Sequence, residues 1–325
     1  MKYVSLAEAQ VSRLCFGTWA YGGEWGSFDQ EQSIGAIRQA WELGINFYDT
    51  AQAYGFGISE RILGQALSDL LKQERNNIFI ATKGGLRMEG NKMVRDSSPE
   101  WLRSGLEQSL KNLGIDYIDL YQVHWPDPKI PIAEVAGVME EFVKAGLVHY
   151  VGVSNYDVQQ MREFAAVRPL DSLQPPYHLF RRGIEAEILP YTRQNQIFVM
   201  VYSPLAHGLL SGKYTPETTF APDDWRAKSP VFQGQAFRQN LNVVAQLGEV
   251  AERLQLSLPE LALAWVLHQP GVSAAIVGAR NPEQIKGTAP AAEIELDGET
   301  LAEIDRITAG AVPVGGPSPE GGIDY

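Results

Sequence analysis

The sequence predicts an α/β protein, a (β/α)8 TIM barrel, on three observations. Short apolar runs typical of buried strands alternate with segments of helical period from residue 14 onwards. Eight such strands can be counted, and helices of this length between strands imply crossover connections and a parallel sheet. No second block of different composition interrupts the 325 residues, a length that one barrel can occupy. We therefore expect residues 1–325 to form a single domain.

The elements are predicted in the following order. Residues 3–6 and 11–14, separated by Ala7-Glu8-Ala9-Gln10, are expected to form a hairpin that plugs one end of the barrel. The barrel strands are predicted at residues 14–17, 47–49, 78–82, 117–123, 148–153, 171–174, 197–201 and 274–277. Helices are predicted after the candidate cap Asp29, at residues 58–71, 99–113, 131–145, 157–167, 184–195, 237–254 and 259–268, and after Asn281-Pro282.

Two segments depart from this alternation. Between Ser203 and Gln233 the chain is rich in Gly, Pro and charged residues, and loops this long in a compact domain are usually functional. The C-terminal tail, about 311–325, has no apolar period. It is expected to be either an extended arm over the barrel mouth or a flexible segment, and the sequence leaves both open.

Composition limits the classes of function. The chain is 45% hydrophobic and 20% charged, as in soluble globular proteins, and its net charge of −12 argues against a nucleic-acid partner. A local basic cluster can still bind an anionic cofactor. The N-terminus lacks a signal-peptide core, and no run approaches the roughly 18 apolar residues of a membrane span. A single cysteine, Cys15, in an apolar run suits a reducing cytosol, so we expect a cytoplasmic protein without a membrane partner.

Four polar residues follow the ends of consecutive predicted strands: Asp49, Tyr54, Lys83 and His124. In a barrel of this class the C-terminal rim carries the active site. Taken singly, Asp49 can cap a helix, Lys83 can be solvated and His124 can be a core imidazole. An acid, a phenol, a cation and an imidazole on neighbouring strand ends are harder to explain by packing alone.

These groups suit proton donation to a carbonyl oxygen. A phenol with a pKa of roughly 10 becomes a better acid beside a cation, which Lys83 supplies, and Asp49 would keep a buried Lys83 charged. His124 can hydrogen-bond the same carbonyl oxygen. Reduction also needs a nucleophile for the carbonyl carbon. No activated Cys or Ser stands at these strand ends, and metal-ligand spacings are absent, so we expect no metal. Hydride from a nicotinamide cofactor fits the role of this nucleophile. The Gly-rich dinucleotide fingerprint is missing, which places the cofactor along the barrel mouth.

Further segments recur along the chain in a fixed order. They are Gly17-Thr18-Trp19, Asp49-Thr50-Ala51-Gln52-Ala53-Tyr54-Gly55, Ala81-Thr82-Lys83, Asp119-Leu120-Tyr121-Gln122-Val123-His124-Trp125-Pro126-Asp127, Gly152-Val153-Ser154-Asn155, Gln174-Pro175-Pro176-Tyr177, Tyr202-Ser203-Pro204-Leu205, Gly208-Leu209-Leu210-Ser211-Gly212-Lys213 and Gly278-Ala279-Arg280-Asn281-Pro282-Glu283-Gln284. In this combination the chain resembles the aldo-keto reductases over nearly its full length. It looks most like the bacterial branch that contains general-stress and inositol-operon reductases.

The resemblance implies a catalytic tetrad. Tyr54 would be the general acid in reduction, Lys83 and Asp49 the pair that tunes it, and His124 the group that orients the carbonyl. The resemblance also implies that Ser154, Asn155 and Gln174 hold the nicotinamide carboxamide, that Tyr202 stacks on its ring, and that the loop from Ser203 to Lys213 cradles the pyrophosphate. The implied cofactor-binding residues are Thr18, Trp19, Ser154, Asn155, Gln174, Tyr202, Ser203, Leu205, Gly208, Leu210, Gly212, Lys213, Gly278, Arg280 and Gln284.

The same resemblance indicates NADPH rather than NADH. Arg280 lies just before a helix start, where the family receives the adenosine 2′-phosphate, although a surface arginine without a ligand is the ordinary alternative. The chain departs from the family pattern at Gly287-Thr288, where relatives commonly carry Glu-Asn. Adenine recognition would then depend more on Gln284.

Aromatic residues are expected to line an apolar substrate pocket together with Tyr54 and His124. They are Trp19, Tyr21, Trp25, Trp125 and Tyr177, and packing explains each of them equally well. Such a pocket fits aldehydes broadly, including small hydroxyaldehydes and dicarbonyls, and the resemblance suggests a monomer. Two alternatives stay open: a nicotinamide-binding redox sensor or regulatory subunit with little turnover, and a barrel lyase or isomerase without nicotinamide.

Overall fold

The computed structural model describes residues 1–23, 26, 28–222 and 224–324. Its strands, in chain order, are β1 (Tyr3–Leu6), β2 (Ala9–Ser12), β3 (Leu14–Gly17), β4 (Phe47–Asp49), β5 (Phe79–Gly84), β6 (Leu86–Glu89), β7 (Lys92–Arg95), β8 (Ile118–Val123), β9 (Val148–Ser154), β10 (Ser172–Gln174), β11 (Phe198–Val201), β12 (Ala274–Gly278), β13 (Gly316–Pro317) and β14 (Ile323–Asp324). Its α-helices are α1 (Gln30–Glu42), α2 (Ile58–Gln73), α3 (Pro99–Leu113), α4 (Ile132–Lys144), α5 (Val158–Ala165), α6 (Ile188–Gln194), α7 (Gly234–Arg253), α8 (Leu258–His268), α9 (Pro282–Thr288) and α10 (Gly298–Thr308).

Eight of these strands form a closed parallel barrel. The neighbours run β3, β4, β5, β8, β9, β10, β11 and β12, and β12 pairs with β3 to close the ring. Strands that follow one another in this ring are parallel because a helical crossover lies between them, and the closing pair of β12 and β3 is parallel as well. The predicted (β/α)8 barrel, with its N-terminal hairpin and additional C-terminal helices, is confirmed.

Side chains at the strand starts fill the barrel interior. The ring of Phe47, which begins β4, lies 5.0 Å from that of Phe79 and 6.2 Å from that of Phe198, measured between centroids. Leu6 and Val11 from the hairpin of β1 and β2 belong to the same buried cluster. The hairpin therefore closes the N-terminal end of the barrel and leaves the opposite rim open for a site.

The structure corrects the register of that hairpin. Its second strand is Ala9–Ser12 rather than residues 11–14, because Leu6 pairs with Ala9 across a two-residue turn. The backbone of Ala7 adopts a φ of 49° in this turn, which allows the tight reversal. Leu14 is thereby left to begin the first barrel strand.

Helices α1 and α3 begin at side-chain caps, and one of these is the predicted cap Asp29. The Asp29 carboxylate accepts from the N–H of Gln32 at the start of α1, and Ser98 caps α3 ahead of Pro99. Gly114 ends α3 in the left-handed region, with a φ of 68°.

The predicted helix 184–195 is only partly correct. A 3-10 turn covers Gly183–Glu185, and α6 begins only at Ile188. Pro190 explains the interruption, since its ring excludes the carbonyl four residues earlier and it has no N–H to donate.

One hairpin was not predicted at all. Strands β6 and β7 follow β5 and form an antiparallel pair between Leu86 and Arg95. The dipeptide Gly90-Asn91 lies at its turn and was the sequence signal that could have found it. This hairpin matters because Arg95 reaches the C-terminal tail.

The tail lies against the barrel mouth. The Val314 N–H donates to the carbonyl of Phe180, and Val314 is buried. The Arg181 guanidinium pairs with Asp324 at 2.6 Å, and Arg95 pairs with Glu320 at 3.1 Å. The tail is therefore the extended arm of the two alternatives. In the part of the chain that the structure describes, none of the helices has the length and apolar character needed to cross a bilayer.

Candidate active site

A buried ion pair lies at the centre of the open rim. Asp49 ends β4 and has Ala81 of β5 as its register partner, and Lys83 lies two residues beyond Ala81 on β5. The Lys83 ammonium donates to Asp49 Oδ1 at 2.7 Å and to the carbonyl of Thr50 at 2.8 Å. Burial raises the pKa of Asp49, while the charge and hydrogen bond of Lys83 oppose that rise.

Tyr54 and His124 stand beside this pair. The Lys83 ammonium lies 3.4 Å from the Tyr54 hydroxyl and 5.1 Å from the centre of its ring. The His124 ring meets the Tyr54 ring edge-on at 5.6 Å. Burial, and then the charge of Lys83, hold the pKa of His124 well below its usual value, so the imidazole is neutral. The structure thus brings together the four predicted rim residues, Asp49, Tyr54, Lys83 and His124.

Two of the predicted pocket aromatics border these groups. Trp19 stacks on Tyr54 with ring centres 6.2 Å apart, and Trp125 directly follows His124. The Arg95 guanidinium lies over the Trp125 ring at 5.2 Å and donates to the carbonyl of Pro126. Sequence reasoning missed Arg95, because its contact with Trp125 depends on the hairpin of β6 and β7.

Two other predicted pocket aromatics do not face the mouth, and this is a correction. Tyr21 is fully buried and donates its hydroxyl to the carbonyl of Ala279. Tyr177 is also fully buried, stacked on Trp265 and donating to Glu185. Both rings pack in the core and leave no surface for a substrate. Trp25 lies outside the described residues.

The residues proposed to hold a carboxamide form a connected group. Ser154 Oγ donates to the carbonyl of Gln174 at 2.8 Å, and Asn155 Nδ2 donates to Ser154 Oγ and to the carbonyl of His124, both at 3.0 Å. The Tyr202 hydroxyl donates to Asn155 Oδ1 at 2.9 Å, which fixes the Tyr202 ring at the rim. Asn155 itself has a φ of 62°, a conformation that Asn tolerates better than most residues.

The loop after β11 has an unusual backbone. Ser203, Ala206, His207, Gly208 and Gly212 all have positive φ. Non-glycine residues in this region store strain, which is commonly found at ligand sites, and such turns aim N–H groups into a concavity. Two of these N–H groups already donate inside the loop, that of Ala206 to the carbonyl of Ser203 and that of Gly208 to the carbonyl of Leu205.

Two predicted cofactor residues need correction, Leu210 in this loop and Thr18 directly after β3. Leu210 has a fully buried side chain, and its N–H, like that of Gly208, donates to the carbonyl of Leu205. Thr18 is fully buried as well, and both its N–H and its hydroxyl donate to the carbonyl of Asp49 at 3.0 Å. The Leu210 side chain is therefore packed inside the chain, and the Thr18 hydroxyl is bonded inside it, where Thr18 supports the strand end that carries Asp49.

Exposed cations lie beside the loop. Lys213 and Arg280 are solvent-exposed, and the N–H of Arg280 donates to Gln284 Oε1 at 2.7 Å. Burial would raise the pKa of Asp224, but the hydrogen bonds and charge of Arg226 and the charge of Arg280 lower it. The charge of Arg280 therefore acts on Asp224, in the long segment that follows β11.

The rim between β12 and β3 offers a floor for a long ligand. Gly278 and Gly17 are register partners there, and Gly278 is exposed. Among the described residues other than its chain neighbours, a Cβ on Gly278 would meet only the carbonyl oxygen of Gly17 within 4 Å, at 3.3 Å, so no other side chain covers Gly278. A bare floor, amides beside Tyr202 and cations beyond the loop fit a dinucleotide cofactor with a planar amide at one end and phosphates at the other. In the part of the chain described, no cluster of three His, Cys, Asp or Glu could hold a metal.

Comparisons with known proteins agree with this geometry. The family described as "Aldo/keto reductase family" matches residues 13–309. The chain is 43% identical to aldo-keto reductase YhdN of Bacillus subtilis (strain 168), over 97% of this chain and 96% of that protein. It is 37% identical to the NADH-specific methylglyoxal reductase of Escherichia coli (strain K12), over 91% of this chain and 95% of that protein.

Among solved structures, glycerol dehydrogenase AKR11B4 from Gluconobacter oxydans superposes with a TM-score of 0.89 at 39% identity, covering 96% of each chain. The class defined by fold and site is thus that of oxidoreductases built on a closed (β/α)8 barrel. The chain belongs to the aldo/keto reductase family.

Proposed function

We propose that this protein reduces aldehydes to alcohols with NADPH, with Tyr54 as the proton donor. The observation that carries the proposal is the buried Lys83–Asp49 pair, whose ammonium lies 3.4 Å from the Tyr54 hydroxyl. The substrates proposed are small hydroxyaldehydes or dicarbonyls, with broad specificity. Two relatives support this range by name, one as a methylglyoxal reductase and one as a glycerol dehydrogenase.

The chemistry follows from the positions of four side chains. A bound nicotinamide supplies the hydride for the carbonyl carbon. The Tyr54 hydroxyl gives its proton to the carbonyl oxygen, and the Lys83 ammonium stabilises the phenolate that remains. Asp49 keeps Lys83 charged and in place. A neutral His124 donates an N–H to the same carbonyl oxygen and aligns it, without adding a second positive charge beside Lys83.

The cofactor would lie along the rim. We assign its carboxamide to Ser154, Asn155 and Gln174, and the face of its ring to Tyr202. The pyrophosphate is assigned to the loop from Ser203 to Gly212 together with Lys213. Leu205, Gly208 and the bare floor at Gly278 complete this surface, and Trp19 borders it beside Tyr54.

The preference for NADPH rests on Arg280. Its exposed guanidinium beside the loop is the cation proposed for the adenosine 2′-phosphate, with Gln284 next to the adenine. One relative is NADH-specific by name, so both cofactors belong in the test.

A direct assay tests the proposal. Purified protein is mixed with NADPH or NADH and a panel of aldehydes that includes methylglyoxal and glyceraldehyde, and loss of the reduced-nicotinamide absorbance is followed. Turnover that is faster with NADPH is the expected result. Tight cofactor binding with no turnover of any carbonyl would instead favour a redox sensor or regulatory subunit.

We further propose that residues 1–325 act as a single domain, as a monomer in the cytoplasm. Light scattering after size-exclusion chromatography measures the mass directly. A species of twice the chain mass would contradict the monomer.

A further inference from the structure

Gln174 ends β10 and connects two parts of the site. Its carbonyl accepts from Ser154 Oγ at 2.8 Å and from the Asn155 N–H at 3.3 Å, so its backbone is held by the group assigned to the carboxamide. Its side chain points elsewhere. Gln174 Nε2 donates to Asp49 Oδ2 at 2.9 Å, a bond that joins residues 125 positions apart.

This bond crosses the barrel. In the closed ring, β10 and β4 are separated by four steps in either direction, so Gln174 and Asp49 stand on opposite strands. Gln174 is 2% exposed and Asp49 is also 2% exposed. The amide therefore spans the mouth below the solvent, where a hydrogen bond to a carboxylate is stronger than in water.

The chemistry of the partners fixes the orientation of the amide. Asp49, ionised beside Lys83, can only accept hydrogen bonds: Oδ1 receives the Lys83 ammonium and Oδ2 receives Gln174. The NH2 of Gln174 must therefore face Asp49. Its Oε1 then faces away from Asp49 as an acceptor, which matches the NH2 of a carboxamide.

We propose that Gln174 is a positioning residue that couples cofactor binding to proton delivery, with Nε2 held by Asp49 and Oε1 offered to the nicotinamide carboxamide. The inference rests on the proposed function and deepens it. An ionised Asp49 orients the amide for the cofactor. In return, the amide holds the carboxylate that keeps Lys83 beside Tyr54. A chain of contacts thus runs from Tyr54 through Lys83 and Asp49 to Gln174. It makes the proton donor and the carboxamide-binding group depend on each other.

A double-mutant cycle on cofactor affinity tests the coupling without relying on turnover. The dissociation constant for NADPH is measured by quenching of tryptophan fluorescence in wild type, Gln174→Met, Asp49→Asn and the double variant. We expect each single change to raise the constant about tenfold, and the double variant to match Gln174→Met alone. Multiplying effects, about a hundredfold in the double variant, would overturn the proposal.

Gln122→Met serves as the matched control. Gln122 is another buried barrel glutamine, on β8, whose Oε1 accepts from Ser172 Oγ at 3.2 Å. Its replacement should leave the dissociation constant within about twofold, since neither Asp49 nor the carboxamide group depends on it. A loss as large as that of Gln174→Met would show that any buried glutamine in the barrel has this effect, and it too would overturn the proposal.

A second variant covers the case in which Asp49→Asn fails to fold. Gln174→Glu keeps an acceptor for the carboxamide but sets a second carboxyl against Asp49, so the pair must share a proton to restore the bond. Among the described residues, Lys83 and Cys15 lie beside this pair, and Tyr54 and His124 lie next to Lys83. Burial and then Asp49 raise the pKa of the Cys15 thiol well above its usual value. The affinity of Gln174→Glu, relative to wild type, should improve as the pH falls from about 8 to 6. A ratio independent of pH would overturn the inference.

Measurements on the wild type distinguish a failure of the proposed function from a failure of the inference about Gln174. If it binds neither NADPH nor NADH and reduces no aldehyde, the proposed function is wrong and the inference fails with it. If it binds and reduces normally while the cycle is additive, only the inference is wrong.

Discussion

The Lys83 ammonium and the Asp49 carboxylate lie 2.7 Å apart on the neighbouring strands β5 and β4, and both residues are buried. Each charge depends on the other, because an isolated charge in such a place is costly. The pair is held in place by the barrel ladder, in which Asp49 is opposite Ala81. The fold determines where the pair lies, whereas the stability of each buried charge depends on the presence of the other.

Removing one partner should destabilise the protein. Lys83→Met or Asp49→Asn is expected to lower the free energy of unfolding by about 3–5 kcal/mol, because the remaining charge stays buried without its counter-ion. Urea denaturation measures the change. The control is Arg103→Met, which breaks an exposed pair with Glu141 and should cost about 1 kcal/mol or less. Equal losses in the buried and exposed pairs would contradict the expectation.

Tyr54→Phe should abolish most reduction while sparing cofactor affinity. The change removes only the hydroxyl next to Lys83, and general acid catalysis contributes about 10²–10⁴-fold to a rate. Steady-state rates and the NADPH dissociation constant are measured in parallel. Tyr117→Phe, at the opposite end of the barrel, is the control and should behave as wild type. A Tyr54→Phe enzyme with wild-type rates would remove Tyr54 from its proposed role.

Arg280→Ala should weaken NADPH binding and spare NADH. Loss of one charge-assisted contact with a phosphate is expected to raise the NADPH dissociation constant about tenfold. Lys286→Ala is the matched control, because Lys286 is an exposed cation six residues further along the chain, on α9. Equal losses for both cofactors would show that Arg280 does not distinguish them by the 2′-phosphate.

Stability should fall in acid because of buried imidazoles. Burial, then the charges of Arg181 and Arg226, lower the pKa of His207 from 6.5 to about 3. Between those values the unfolded chain binds a proton that the folded chain does not, so stability is present above about pH 6.5 and is lost as the pH falls towards 3. For His207 alone the loss is about 2 kcal/mol at about pH 5.

His207→Asn tests this expectation. Asn suits the φ of 54° at this position and carries no titratable group. Urea denaturation at neutral pH and at about pH 5 should show a smaller loss of stability in the variant than in wild type. His178 and His124, whose pKa values are also lowered by burial, contribute to the remaining loss. An identical loss in both proteins would contradict the assignment to His207.

The barrel and the four residues at the centre of its rim could be predicted from the sequence for a physical reason. Strands buried on both faces read as short apolar runs, and in parallel strands the residues just past their ends meet at one rim. That is why Asp49, Lys83 and His124 could be placed together before any contact was known. Element ends were less accessible, as the hairpin register and the interruption before α6 show, because single turns and one proline decide them.

The sequence did not predict which side chains at the rim point towards the site. Tyr21, Tyr177, Thr18 and Leu210 belong to segments at the rim, yet all four are buried with their polar groups bonded inside the chain. Position along a strand or loop restricts which residues come near the site, but packing on both sides of the backbone selects which of them face it.

The sequence by itself determined the family, the closed parallel barrel and the residue types at its rim, because all of these depend on local period and on short segments in order. Only the tertiary structure decided that Gln174 bonds Asp49 across the mouth, that Arg95 covers Trp125, and that the tail is held by Arg181 and Arg95. These contacts join residues far apart in the chain, and no local pattern specifies them. They exist because closing the ring brings opposite strands and the chain end to the same rim.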